Sequence, residues 1–178
     1  MNRALRVILR QLGASLFTTA CYIIVDLANA QLIFANAGHP SPLRVCGTSR
    51  VVEPITVCRS VARPDQDNHA SGVAGPALGL FEDVVYHTHH CPVGAGDSLL
   101  VFTDGLYEVE NAKAETFGLG RLSDAIRQRA DLPLAQLMQE VFSEVEGFAQ
   151  GHAFADDVCL VGMEIARLEP GAAAAPVA

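Results

Sequence analysis

Residues 99–111 read LLVFTDGLYEVEN, and the fold turns on how this stretch is read. Leu99–Phe102 form a short unbroken apolar run, the length of a strand buried on both faces. The run leads straight into Thr103 and Asp104, with Gly105 behind them. A carboxylate at the end of a buried strand is costly unless it is hydrogen-bonded, paired or bound to a cation. A glycine beside it permits positive φ or the close approach of another segment. Two explanations therefore fit Asp104: a helix N-cap with Leu106–Val109 opening the helix, or a donor in a cation site.

A second acidic feature lies far downstream, in the stretch FADDVCLVGMEI at 154–165. Asp156 and Asp157 stand directly before an apolar run that reads as the last strand. Adjacent carboxylates repel, and a solvated turn explains them. If this strand pairs antiparallel with 98–103, however, its leading acids meet Asp104. Carboxylates gathered at a sheet edge are how proteins hold hard divalent cations such as Mg²⁺ or Mn²⁺.

The rest of the chain supplies a frame for that pairing. It opens with a short amphipathic helix carrying Leu5, Ile8, Leu9 and Leu12 on one side. The runs Thr18–Val25 and Gln31–Ala35 flank the turn-prone Asp26–Asn29 and read as an antiparallel hairpin, since a βαβ crossover needs a dozen or more connecting residues. A short strand follows Pro40 and Pro42, and Arg50–Val57 supplies another. Arg59–Gly75 is polar and rich in turn formers, a loop. Val84–Cys91 and Ser98–Thr103 read as strands around a turn at Gly94–Asp97. Leu119–Ala130 and Leu134–Ala149 carry apolar residues at helical spacing, and Val158–Ile165 closes the order as a strand. Contiguous strands with segregated helices predict an α+β domain of layered, mostly antiparallel sheets over residues 1–168. Residues 169–178 are expected to be a disordered tail.

Composition narrows the function. The chain has 178 residues, 20 acids against 12 bases and a formal charge of -8. That balance disfavours nucleic acid, which needs a basic footprint; a metal cation, a basic partner or ordinary solubility charge all suit it. The five cysteines, at 21, 46, 58, 91 and 159, form no CxxC pair, and reduced thiols in a cytoplasmic protein are expected. Cys21 sits in a strand that reads as core. No apolar run approaches the roughly 20 residues of a membrane helix, so no membrane partner is expected. His87 and His89 share a strand face in YHTHHC, which fits either a metal or an exposed strand; no third ligand is evident beside His90.

Five stretches in this order resemble the later part of a PPM-type (protein phosphatase 2C-like) domain of the bacterial SpoIIE-like branch: FTTACYIIVDLANAQLIFANAGHPSPL, GPALGLF, GDSLLVFTDGLYEVEN, FGLGRL and ADDVCLVGMEI. The likeness covers roughly Leu16 to Ile165. It implies two facing sheets flanked by helices, a Mn²⁺ or Mg²⁺ pair at one edge, and hydrolysis of phosphoserine or phosphothreonine on a regulatory protein such as an anti-sigma-factor antagonist. Carried over by residue, Asp104 and Asp156 are metal ligands, Asp157 is a lesser candidate, and Gly105 keeps the backbone near the site. Gly38, His39 and Pro40 match a structural turn. Cys159 stands where threonine is frequent, a core-like change.

The resemblance also exposes a deficit. The family's GGD-type acid and DxxGHG-type Asp-Gly pair belong before the FTTA strand, but the fifteen residues before Leu16 contain no acid. The expectation is therefore a C-terminal portion of such a domain, with no complete catalytic set in this chain and impaired activity. A free sheet edge predicts association with a second copy. The competing functions are a non-catalytic regulatory module that keeps the fold and binds a partner, and a phosphoacceptor domain. The early hairpin and the acid-free start speak against the phosphoacceptor.

Overall fold

Strand pairing and helix spacing fall largely where side-chain alternation and apolar periodicity place them. The computed structural model describes residues 2–11, 16–55 and 74–169. The loop expected at 59–75 lies almost wholly outside these residues, as do Leu12, Cys58 and the tail beyond Glu169. The elements are α1 (Asn2–Gln11), β1 (Ala20–Asp26), β2 (Gln31–Ala37), β3 (Leu43–Val45), β4 (Val52–Pro54), β5 (His89–Pro92), β6 (Ser98–Phe102), α2 (Gly118–Gln128), α3 (Leu134–Ala149) and β7 (Leu160–Glu164). They divide into two compact units, one holding α1, β1, β2 and β5, the other β3, β4, β6, β7, α2 and α3. The expected α+β class with antiparallel sheets is what the structure contains.

In the first unit the predicted hairpin is present, with β1 and β2 antiparallel from Ala20↔Ala37 to Asp26↔Gln31. Asp26 builds the turn by accepting from the Asn29 amide at 3.0 Å and from Asn29 Nδ2 at 2.8 Å. These bonds hold its carboxyl below the usual range. β5 joins the far side of β2, giving the order β1-β2-β5.

The strand expected at Val84–Cys91 is a correction: it starts only at His89. β2 offers partners to His89–Pro92 alone. The preceding residues leave the ladder, where Tyr86 donates its hydroxyl to Pro76 O at 2.9 Å and Val85 is exposed. His39 donates its amide to Asn36 Oδ1 at 2.9 Å, and Asn36 Nδ2 returns a bond to His39 O. This closed loop fits a structural role for the Gly38–Pro40 turn.

Helix α1 is held more by polar clamps than by the expected apolar stripe. Asn2 accepts from the Gly79 amide at 2.7 Å and donates to Phe81 O at 2.9 Å, while Arg3 and Arg6 pair with Asp83 and Glu82. Leu5 and Leu9 are half-buried, but Ile8 is exposed, which corrects its place on the buried side.

The second unit is a four-stranded antiparallel sheet, β4-β3-β6-β7, under two helices. Leu100 and Phe102 of β6, with Leu43 and Val45 of β3, form its core with Leu122 and Ile126 of α2 and Val141 and Val145 of α3. Those helix positions are the ones the i, i+3, i+4 spacing selects. The turn before β6 is tied by Asp97, 2% exposed, which accepts from the Gly47 and Gly94 amides at 2.8 Å and pairs with Arg44 at 2.9 Å.

β7 lies within the strand expected at Val158–Ile165, with Val161 and Met163 52% and 43% exposed. Two core readings need correction: Cys159 before this strand is exposed rather than core-like, and Cys21 is half-buried, its thiol raised by desolvation. No helix among the described residues is long and apolar enough to cross a membrane.

Candidate metal centre at the end of β6 and β7

The second unit contains both acidic motifs, and its register brings them to one edge. β6 and β7 pair antiparallel from Ser98↔Glu164 to Phe102↔Leu160. Past the last pair the chains stay stitched through Thr103. Its amide donates to Cys159 O at 3.0 Å, its hydroxyl donates to Asp157 O at 2.9 Å, and Thr103 Oγ1 in turn accepts from the Cys159 amide at 2.8 Å. The antiparallel pairing on which the sequence reading was conditional is therefore present, and Asp104 and the Asp156–Asp157 pair lie at the same end of it.

Gly105 explains how close the segments come. A Cβ built there would lie 2.7 Å from Asp157 O and 3.1 Å from Asp156 O, so the peptide after Asp104 rests directly on the backbone of the two downstream acids. Gly105 is buried, Asp104 is half-buried, and Asp156 and Asp157 are exposed. Any side chain at 105 would separate the strand ends.

Asp104 does not cap an α-helix. It opens a 3-10 turn, Asp104–Leu106, whose N-cap is Thr103 and whose Asp104 carbonyl receives the Tyr107 and Glu108 amides at 2.9 Å. Its side chain accepts the Gly105 amide at 3.1 Å through Oδ1, and Asp156 Oδ1 accepts the Asp157 amide at 2.7 Å. Among the described residues no Lys, Arg or His pairs with Asp104, Asp156 or Asp157. Nearby, burial and the charges of Glu108 and Asp104 raise the Tyr107 phenol.

The donor set suits a hard cation: carboxylates not neutralised by a cationic side chain, beside backbone carbonyls, at a partly exposed edge. It is also sparse. Among the described residues no group of three or more His, Cys, Asp and Glu side chains converges at metal-binding separation. Asp104, Asp156 and Asp157 thus do not form a three-carboxylate cluster by themselves. The same holds for His87, His89 and His90; His89 instead packs on the Phe34 ring at 5.4 Å, and His90 Nδ1 lies 3.3 Å from Gln31 Oε1.

Thr103 is the participant that sequence reading passed over. Its position between an apolar strand and an acid-glycine pair was the available signal, because a strand-end hydroxyl can tie a neighbouring chain that has left the ladder.

Comparison with known proteins bears on the fold and the family. The phosphoserine phosphatase RsbP of Bacillus subtilis is 24% identical over 151 residues, 84% of this chain and 31% of RsbP. The SiaA PP2C domain of Pseudomonas aeruginosa has a TM-score of 0.71 at 21% identity, over 92% of this chain and 57% of that one. The catalytic domain of the Mycobacterium tuberculosis phosphatase PstP, solved with two manganese ions, has a TM-score of 0.54 at 16% identity, over 90% and 65% of the chains. The chain spans under a third of RsbP and just over half of the SiaA domain. The fold is that of PP2C phosphatase domains, and a match over residues 1–166 makes the chain a member of the Stage II sporulation protein E (SpoIIE) family.

Proposed function

We propose that this chain is part of a metal-dependent protein serine/threonine phosphatase domain that acts on a phosphorylated regulatory protein. The observation that supports the reading is that Asp104 and the Asp156–Asp157 pair lie at the same end of the paired β6 and β7, with Gly105 against the backbone carbonyls of both downstream acids. Asp104 and Asp156 would hold Mn²⁺ or Mg²⁺, with Asp157 at the margin. Thr103 fixes the Asp157 carbonyl, and the missing side chain at 105 lets the two acids share one edge. When bound, such a cation supplies positive charge and activates water for attack on a phosphate ester.

The name of RsbP, a phosphoserine phosphatase, supports phosphoserine as the substrate group, and an anti-sigma-factor antagonist is the partner we favour. A cytoplasmic location and association with a second copy through the free edge of β1 belong to the same proposal. Turnover by this chain is expected to be weak, because among the described residues no three metal-binding side chains converge at the site.

Hydrolysis of p-nitrophenyl phosphate with Mn²⁺ tests this reading. Slow, Mn²⁺-dependent turnover that disappears in Asp104→Asn is expected. Robust turnover lost in that variant would remove the impairment, and turnover indifferent to both metal and substitution would remove the assignment. The alternative, a non-catalytic module that binds a partner protein, draws on the same sparse donor set and predicts no cation affinity.

A further inference from the structure

A cavity of about 330 Å³ lies in the second unit at the sheet end remote from Asp104. Register defines its floor, because Val45, Ser98 and Glu164 stand side by side across β3, β6 and β7. Ser98 shares its strand face with Leu100 and Phe102, which pack on the helices, and its side chain therefore lies beneath the α2–α3 turn. Gly162, two residues before Glu164, meets Leu134 and Met138 of α3, which puts Glu164 on the same face. Leu132, Pro133 and Leu134 form the roof.

Three kinds of chemistry converge there. Ser98 is 8% exposed and lines the cavity. Glu164 lines the cavity and forms no ion pair among the described residues. Arg50 enters from the β3–β4 turn and faces Asp131 at 3.6 Å, a loose pair whose acid is almost fully exposed. A guanidinium has five N–H donors, so this contact leaves most of them open to a ligand.

We propose that this cavity binds a small zwitterion of the aliphatic amino-acid type. The ligand's carboxylate lies on Arg50, its ammonium on Glu164 with Ser98 Oγ accepting a further bond, and its alkyl group against Val45, Leu134 and Leu137. Opposite charges on different walls select such a ligand. A phosphate or another simple anion meets Glu164 and Asp131, and a simple cation leaves Arg50 unanswered. The volume is at the lower end of small-molecule sites, which run from about 300 to 1,000 Å³.

Amide chemical-shift titration of the full chain with L-leucine is the experiment, run beside 4-methylpentanoate and isopentylamine, which lack the ammonium and the carboxylate respectively. Saturable shifts centred on Arg50, Ser98, Leu132 and Glu164 are expected. Each analogue, and Glu164→Gln with L-leucine, should bind about tenfold more weakly, the scale of one charge-assisted hydrogen bond. Glu164 is exposed, and the spectrum of the free variant establishes that its fold is kept. Absence of saturable shifts with L-leucine, equal affinity for the analogues, or indifference to Glu164→Gln would overturn the proposal.

Discussion

Gly105 carries more of the candidate site than its size suggests. A methyl group there would press on two carbonyl oxygens that belong to backbone and cannot rotate away. Gly105→Ala is expected to destabilise by about 1–3 kcal/mol, as overpacking does, seen as a lower urea midpoint. Gly120→Ala, with nothing within 4 Å of its Cβ, should be neutral or stabilising by up to about 1 kcal/mol. Asp97 offers a second test. Removing its carboxylate takes the acceptor from the Gly47 and Gly94 amides and the nearer acid from Arg44, which keeps Glu53 at 3.7 Å, so Asp97→Ala should cost about 1–3 kcal/mol on the same measurement.

At Cys46, hydrogen bonds from Ser49 and then Thr48 hold the thiol down at about 6. The folded value lies below the unfolded one, so this contribution favours the fold at high pH and fades as pH falls through 6. Alkylation of Cys46 followed by mass spectrometry should reach half its maximal rate near pH 6, and Ser49→Ala should move that midpoint upward.

At the scale of elements, what could be read from sequence was set by how local the deciding interactions are. The α2 and α3 faces were legible because Leu122, Ala125, Ile126, Leu137, Val141 and Val145 repeat with the helix period, a pattern that marks the buried face whatever covers it. Leu122→Ala is expected to lose about 2–5 kcal/mol by calorimetry, while Leu119→Ala, at an exposed position of the same helix, stays within about 0.5 kcal/mol.

The misread elements depended on distant partners. Val84 and Val85 have strand-like side chains, but β2 offers them no partner. Ile8 fits a helical stripe, yet α1 is anchored through Asn2 and two arginines to residues 79–83. Asp97 was placed in its turn, but its bond to Arg44 crosses more than fifty residues of chain. Of the site itself, the acids and Gly105 were legible from type and spacing, whereas the stitching by Thr103 needed the two strand ends in register.

On the scale of the whole molecule, the fold and family follow from the ordered motifs and the antiparallel sheets, while the proposed activity rests on one sheet end. Association through β1, an edge strand among the described residues where Tyr22 and Ile24 are exposed, predicts a light-scattering mass of twice 18.9 kDa. A monomeric mass would remove that part of the proposal.

The cation site is tested most directly by isothermal titration of the full chain with Mn²⁺, beside Asp104→Asn and Asp156→Asn. Saturable binding to the unsubstituted chain is expected, and each substitution should abolish it or weaken it by about tenfold or more. Absence of Mn²⁺ binding, or binding that neither substitution alters, would contradict a metal site built on Asp104 and Asp156.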